Sequence, residues 1–396
     1  MTVRTEIAGS RATLLRFRQL GQSIGGAALI GVVHFISHAG LASSAFIIGS
    51  LIDQRGYSPA TAGMVSMAEL GCFAASTAII STRIGAMSVR RLALIAALVA
   101  AFAGFWSAAV DGLVNLVASR CVAGAACGLL YACACAGAAR SAKPNRTYAF
   151  GYAFTTVLYS THYPIVAALI HASGTRGAFG YMAAQLLLVT LVLKWLPEAH
   201  KTSEARPPID TVERLRRDKF VLTATMATFC CGSVALWGFT ERLGVAAGIP
   251  EQQVAWIQGA TNLLAIVGTL LPAWLIPFAG FRTSAVGAIV VCAIGCLGLG
   301  LAVGSVSYFS AMLLYFGGFN AGYVTFMTYA ASLDRSGSAS TAVGASLLAV
   351  WAVGTGIAGL AATKFGYQII PIVGTVISFA ALMPLMSLPR LRPTPV

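Results

Sequence analysis

Long apolar runs recur along this 396-residue chain, and each is near the ~20 residues needed to cross about 30 Å of hydrocarbon. Twelve such runs are predicted, at residues 24–51, 60–82, 91–110, 112–138, 148–171, 177–196, 219–242, 253–277, 283–304, 306–331, 340–363 and 367–388. Because lipid offers no hydrogen-bond partner to a bare backbone, runs of this length predict α-helices. The chain is therefore predicted to be an all-α membrane protein with twelve transmembrane helices.

The position of the charges predicts where the protein resides. Charged residues make up only 10% of the chain, whereas a soluble protein has roughly a quarter. The net charge of +14 would also suit a nucleic-acid-binding protein, but about four-fifths of the 26 Lys and Arg fall in segments that share one side of the predicted membrane. This is the positive-inside distribution. It predicts a multi-pass protein of the inner (cytoplasmic) membrane, with both termini cytoplasmic, lipid around it and no nucleic-acid partner.

A single long polar stretch divides the helices six and six. The predicted domains are an N-terminal six-helix bundle at 1–196, a cytoplasmic linker at 197–218 and a C-terminal six-helix bundle at 219–396. Gly124-x3-Gly128 in the first half recurs as Gly318-x3-Gly322 at the matching place in the second. Small residues in membrane helices permit close packing, but matched spacing across two halves is typical of transporters that bind their substrate where repeats meet.

Two motifs resemble those of the major facilitator superfamily, and the plan of two six-helix halves fits that family over essentially the whole chain. Arg120-x3-Gly124-x3-Gly128 is similar to its helix-4 arginine-glycine pattern, and residues 82–91 resemble its loop between helices 2 and 3. That loop has Thr82 in place of the usual acid, and helix 5 lacks the GxxxGPxxGG stretch of proton-driven drug exporters. The resemblance implies two pseudo-symmetric bundles, with helices 1, 4, 7 and 10 around a central cavity.

Glu69 and Arg120 are the two charged residues that lie deep in the predicted spans. A charge near the bilayer centre costs about 2.5–3.5 kcal/mol, so one retained there suggests use. Arg120 is predicted to anchor an anionic substrate or to hold Glu69 ionised, and Glu69 suits reversible proton carriage. Their equal depth also permits a static buried pair that only fixes helix packing. In either case we expect the two side chains at the seam between the halves.

Three buried histidines are candidates for proton relay or substrate contact, because imidazole titrates near neutrality. His34 and His38 lie four residues apart and share a helix face, and His162 lies in helix 5. The alternative for each is a hydrogen bond to a neighbouring carbonyl. The spacing of His34 and His38 would also suit a metal ion, but two residues make a weak motif, and no metal is predicted.

The second half supplies polar and aromatic candidates for the cavity wall, namely Trp237, Asn262, Tyr315, Asn320 and Tyr323. Packing between helices is the alternative for each of them. Asn320 is the best of the set, because an amide within hydrocarbon needs a partner and the glycines on either side of it allow a helix or ligand to approach.

These residues predict a secondary active transporter that moves a small organic solute by alternating access. The solute is expected to be anionic, the transport proton-coupled and the protein a monomer. The alternative is an exporter of drugs, siderophores or metabolites on the same fold. No nucleophile–base pair, phosphate loop or separate catalytic domain is evident, so neither an enzyme nor a cofactor is predicted.

Overall fold

The structure is a computed structural model that describes residues 25–141, 143–197, 209–334 and 336–388, all of whose regular elements are helical. The helices are α1 (25–42), α2 (Ser44–Arg55), α3 (Pro59–Ser81), α4 (Val89–Ala109), α5 (Leu113–Ala139), α6 (Pro144–Thr190), α7 (Ile209–Trp237), α8 (Thr240–Ala246), α9 (Glu251–Leu264), α10 (Ile266–Gly300), α11 (Gly304–Leu333), α12 (Ser338–Phe365), α13 (Ile369–Ala380) and α14 (Leu382–Ser387). Short 3₁₀ turns lie at Ile84–Ala86 and Leu193–Trp195.

Local sequence explains where the helices begin and break. Ser58 caps α3 by accepting a hydrogen bond from the Thr61 amide, and Pro59 occupies the first turn, where no amide donor is needed. Within α6, Gly174 has a φ of 64°, and within α10, Gly280 has a φ of 80°. Glycine adopts this left-handed conformation at little cost. The break in α6 divides that helix into two spans, and the break in α10 separates the span that begins in α9 from the one that follows, as the predicted breaks near 171–177 and 277–283 required.

In the described part of the chain, nine helices are long and apolar enough to cross a membrane, when α1 is joined with α2, α9 with α10 and α13 with α14. Two of the nine contain the breaks at Gly174 and Gly280 and so hold two spans each. α11 has the length of a further span, so the structure is consistent with the twelve predicted helices. Large apolar side chains such as Phe102 and Phe278, 68% and 77% exposed, face outwards, where lipid replaces water. The span predicted at 219–242 ends earlier, at Trp237, and α8 follows it.

We call residues 25–197 the first half and residues 209–388 the second half. The halves meet mainly where α12 packs on α3 and α9 packs on α6. Half of the predicted linker 197–218, at 198–208, lies outside the described residues, and the part from Ile209 onwards belongs to α7. We call the end of the molecule with the loops 82–88 and 336–337 the linker end. The other end, with the loop 56–58 and the segment 238–250 that contains α8, is called the opposite end.

Glycines let the helices approach closely within and between the halves. A Cβ at Gly124 would lie 2.0 Å from the Glu69 carbonyl oxygen, and one at Gly318 would lie 2.3 Å from the Cys292 nitrogen. Side chains at these two positions would therefore force α5 away from α3, and α11 away from α10. This close packing holds the polar residues of neighbouring helices at fixed distances.

Candidate functional site

A central cavity lies between the two halves and receives side chains from both. The free space among its walls, including their open edges, is about 580 Å³. Its lining comprises His34, His38, Leu41, Ala42, Tyr152, Tyr159, Tyr163, Val234, Trp237, Asn262, Tyr315, Phe316, Phe319, Asn320, Tyr323, Leu347 and Trp351. The lining is mostly aromatic, and in the part of the chain that the structure describes it includes no Asp, Glu, Lys or Arg.

Tyr323 closes the cavity towards the linker end. Its hydroxyl lies 3.0 Å from His34 Nε2 and 3.1 Å from the Tyr131 hydroxyl, and its ring stacks on Tyr152 at 4.5 Å. Tyr323 belongs to the second half and its three partners to the first. A second, apolar cavity on the far side of this contact is also lined by His34, Tyr152 and Tyr323. The four residues thus form a partition that opens only if the halves separate there.

The two histidines of α1 stack face to face, with ring centroids 4.4 Å apart and planes at 6°. His38 Nδ1 lies 3.1 Å from the His34 carbonyl oxygen. Parallel rings do not converge on one metal ion, and within the described ranges no group of three His, Cys, Asp or Glu residues could hold one. The stacked pair is therefore a polar contact at the cavity wall.

An aromatic cluster closes the cavity towards the opposite end. Trp237 donates its indole N–H to the Leu41 carbonyl oxygen at 3.1 Å, joining the second half to the first. Tyr163 and Phe316 each lie 5.5 Å from Trp237 between ring centroids. This second partition again combines residues of both halves.

A charged cluster lies beyond that partition, at the opposite end. Arg242 Nη2 of the second half lies 2.6 Å from Asp53 Oδ2 of the first, and Arg242 Nε lies 3.1 Å from Glu241 Oε2. The Glu241 side chain is only 1% exposed. Gly49 makes room for the cluster, because a Cβ there would lie 2.9 Å from both Arg242 and Glu241.

Contacts between the halves also close the linker end. Arg140 donates to the Ile84 carbonyl oxygen at 2.8 Å and to the Ser336 carbonyl oxygen at 3.1 Å. A Cβ at Gly337 would lie 2.7 Å from the Ala136 Cα, so the two backbones nearly touch. Cross-half contacts are thus present at both ends of the cavity.

Of the predicted wall residues, Trp237, Asn262, Tyr315, Asn320 and Tyr323 all line the cavity. Asn262 Nδ2 donates to the Thr156 carbonyl oxygen at 2.9 Å, and the Tyr315 hydroxyl donates to the Ser233 carbonyl oxygen at 3.0 Å. Asn320 differs from them, because its buried Nδ2 has no hydrogen-bond partner among the described residues.

The Glu69–Arg120 pair lies away from the cavity. Both nitrogens on one edge of the guanidinium meet the carboxylate, with Arg120 Nε 2.9 Å from Glu69 Oε2, and the guanidinium carbon lies 4.8 Å from the Phe179 ring centroid. Ser107 and the space above Gly40 complete its surroundings, all in the first half. The expectation that the pair lies at the seam was wrong, because Gly40 and Gly124 let α1, α3 and α5 enclose it.

His162 also lies outside the cavity lining. Its Nε2 is 2.8 Å from the Ser43 hydroxyl, and its ring stacks on Tyr181 with centroids 5.6 Å apart. These contacts lie within the first half, where α6 packs on the turn between α1 and α2. The structure therefore separates His162 from His34 and His38.

The sequence interpretation missed two parts of this arrangement. Tyr152, Tyr159 and Tyr163 supply the first-half wall of the cavity, and their spacing of seven and four residues places them on one helix face. That spacing was a usable signal. Asp53 and Arg242 were not among the predicted site residues, and nothing in their sequence positions indicates that they meet.

Known proteins share this architecture. The sequence model described as the Major Facilitator Superfamily matches residues 30–350. The solved structure of the nucleoside transporter NupG is similar with a TM-score of 0.66 at 11% identity, covering 92% of this chain and 98% of that one. The human organic anion transporter MFSD10 (TETRAN) gives 0.65 at 14% identity, with 92% and 99% covered.

FucP, a transporter of the same superfamily solved in the outward conformation, gives a TM-score of 0.67 at 13% identity, with 93% and 100% covered. At these identities the likeness shows the fold alone. No curated protein sequence matches the chain significantly.

Proposed function

The chain belongs to the Major Facilitator Superfamily of secondary transporters, and we propose that it moves a small, uncharged organic solute through the central cavity by proton-coupled alternating access. The observation that carries this proposal is the position of the cavity. It lies between halves that touch at both ends, with an aromatic partition on each side. Rocking of one half against the other would break one set of contacts and keep the other.

The cavity supports an uncharged solute better than the predicted anion. Arg120, the expected anchor for an anion, is paired with Glu69 outside the lining. A charged ligand buried without a counter-charge loses its hydration with little compensation. NupG is a nucleoside transporter and MFSD10 an organic anion transporter, so solved relatives of this fold include carriers of both kinds. The composition of the lining favours the uncharged kind here.

Proton coupling is proposed from titratable groups at contacts that must break during transport. His34 bridges the halves through Tyr323, and its imidazole would take up a proton once opening of this contact exposes it to water. Glu241 and Asp53 share Arg242 at the opposite end. Protonation of His34, or of a carboxylate beside Arg242, would change the strength of a contact between the halves. A proton gradient would then favour one conformation of the carrier on each side of the membrane.

The setting of the protein is proposed from its charges. The excess of Lys and Arg on the linker side favours an inner-membrane protein with the linker and both termini in the cytoplasm. We propose the domain division 1–196, 197–218 and 219–396, with one chain forming the whole carrier. The opposite end would then face outwards.

The proposal is tested in proteoliposomes that contain the purified protein and an internal pH-sensitive dye. A panel of uncharged ring compounds, organic acids and organic amines is added with and without an imposed pH gradient. We expect at least one compound to accumulate with the gradient and to carry protons with it. Accumulation that ignores the gradient would contradict proton coupling, and a panel without any transported compound would contradict the proposed function.

Export of an amphipathic compound is the second candidate, because the same aromatic, uncharged lining suits such a molecule. The direction is measured in vesicles of known orientation. Accumulation in inside-out vesicles driven by an acidic lumen would support export, and accumulation only in right-side-out vesicles would support uptake.

Glu241 predicts a pH-dependent closure of the opposite end. Burial raises the pKa of Glu241 to about 7, although Arg242 opposes this, and the negative charges of Glu251 and Asp53 add to it. α8 follows the span that ends at Trp237, and an exposed Glu241 in the open state would regain its ordinary pKa of 4.5. Between these values the closed state holds one more proton. Closure is therefore expected to weaken by about 1.4 kcal/mol per pH unit as pH rises from about 5 to 7.

The measurement is thiol labelling of Thr355→Cys protein without its nine native cysteines across this pH range, compared with the same labelling after Glu241→Gln. Thr355 of α12 is fully buried and its backbone packs on Gly63 of the first half, so labelling requires opening. Because thiols react faster as they ionise, each rate is divided by that of the denatured protein at the same pH; this ratio should increase with pH in the first case and become flat in the second. The control is Glu213→Gln, which alters an exposed carboxylate of α7 outside the charged cluster and should keep the slope. A slope that survives Glu241→Gln would show that another group senses the pH.

A further inference from the structure

Three buried side-chain atoms on the cavity lining have no hydrogen-bond partner among the described residues. His34 Nδ1 donates or accepts according to its tautomer, whereas Asn320 Nδ2 on α11 and Trp351 Nε1 on α12, both in the second half, can only donate. A buried donor left unsatisfied costs about 1–3 kcal/mol. A molecule in the cavity that presents acceptors to these groups would recover that free energy on binding.

The same two donors limit the charge that a molecule bound in the cavity can carry. Aromatic faces attract cations, but a cation brings N–H groups or bare positive charge to groups that need an acceptor. An anion brings acceptors, but the described lining holds neither Lys nor Arg to balance it. An uncharged molecule with acceptor atoms avoids both costs.

The partitions at the two ends narrow its shape. Tyr152 and Tyr323 stack at the linker end, while Tyr163, Trp237 and Phe316 pack at the opposite end. Aromatic rings gain most from offset-stacked or edge contacts with other rings. A flat ring would make such contacts with both partitions, whereas a bulky saturated solute would leave them partly unused.

We infer that the central cavity recognises an uncharged, flat heterocycle whose ring or carbonyl acceptors bond Asn320 and Trp351. The inference rests on the proposed function and names the substrate class of the same site. It predicts selection among molecules of nearly equal size by charge alone.

Four probes test this selection on the full-length protein in lipid nanodiscs. Nicotinamide is uncharged, nicotinate is its anionic counterpart, 1-methylnicotinamide is its cationic counterpart, and caffeine is a larger uncharged ring system that has only acceptors. Binding is measured by ligand-dependent thermal shift and tryptophan fluorescence. We expect nicotinamide or caffeine to bind, and both charged counterparts to bind more weakly than nicotinamide.

Asn320→Leu and Trp351→Phe each remove one donor group and leave an apolar side chain of similar size in its place. Each is expected to weaken binding of the uncharged probe about fivefold to tenfold, the equivalent of one hydrogen bond. Gln185→Leu and Trp195→Phe make the same chemical changes outside the cavity lining, and binding should be unaffected. Normal melting temperatures without ligand show that each variant has folded.

Tighter binding of either charged counterpart, or unchanged affinity in both donor variants, would overturn the inference. So would failure of both uncharged probes to bind. The proton-linked accumulation experiment distinguishes failure of the proposed substrate class from failure of the proposed transport function. If some other compound is transported with protons while the heterocycles do not bind, the transport function stands and the substrate class is wrong.

Discussion

Replacing Arg120 with methionine is expected to lower the free energy of unfolding by about 3–5 kcal/mol, because it leaves the Glu69 carboxylate buried without its partner. The side chains of Arg120 and Glu69 are only 6% and 10% exposed, so water cannot replace the lost contacts. Gly40 and Gly124 hold α1 and α5 tightly around the carboxylate, which leaves no room for it to move to the surface. The thermal midpoint in detergent and the yield of monodisperse protein measure the effect.

The double variant Glu69→Gln/Arg120→Met separates packing from coupling. Removing both charges takes away the unpaired carboxylate, so most of the lost stability should return. If proton-driven accumulation returns as well, the pair serves only to fix the helices. If stability returns but accumulation does not follow the pH gradient, Glu69 takes part in proton transfer. A double variant that is as unstable as Arg120→Met would contradict the pairing itself.

Oxidation of a Met67→Cys/Gly356→Cys variant is expected to stop transport, down to the level of empty liposomes. A Cβ at Gly356 would lie 3.8 Å from the Met67 Cβ, which is the usual separation of Cβ atoms in a disulfide and would join α3 of the first half to α12 of the second. The one closer obstacle is the rest of the Met67 side chain, which the substitution removes. Such a bond would hold the opposite end closed. A carrier that works by separation of its halves cannot complete its cycle in that state.

A disulfide within one half provides the matched control. A Cβ at Gly104 would lie 2.9 Å from the Ala183 Cβ, and both residues belong to the first half. Oxidised Gly104→Cys/Ala183→Cys protein should keep transporting, since each half moves largely as one body. Reductant should restore the cross-half variant, and the single cysteine variants should show no oxidant effect. Continued transport with a fully formed cross-half disulfide would contradict alternating access through this interface.

The helices themselves were predictable from the sequence. Most of their limits agree with the predicted spans to within several residues, although α7 begins at Ile209 and not at 219, and the breaks at Gly174 and Gly280 lie where the apolar runs were divided. Lipid imposes this, because every backbone group must be satisfied inside its own helix and about 20 apolar residues are needed to cross the bilayer. The equal depth of Glu69 and Arg120 followed from the same helical rise.

The candidate site was only partly predictable. All five wall residues proposed in the second half line the cavity, whereas Tyr152, Tyr159 and Tyr163 of the first half were missed. Arg120 and Glu69 were expected at the seam and lie inside the first half. The depth of a residue along a helix can be counted from the sequence. The direction in which its side chain points depends on the rotation of that helix against its neighbours.

Apolar length, glycine breaks and the distribution of Lys and Arg thus specified helices, lipid and a two-half plan, since these depend on local chain properties and on the solvent. Packing between distant segments decided the rest. It brought Tyr323 to His34, placed Arg242 beside Asp53, enclosed Arg120 with Glu69 and left Asn320 Nδ2 at the cavity with no partner among the described residues. Each of these contacts or exclusions depends on how whole helices pack, and no local pattern of residues encodes that.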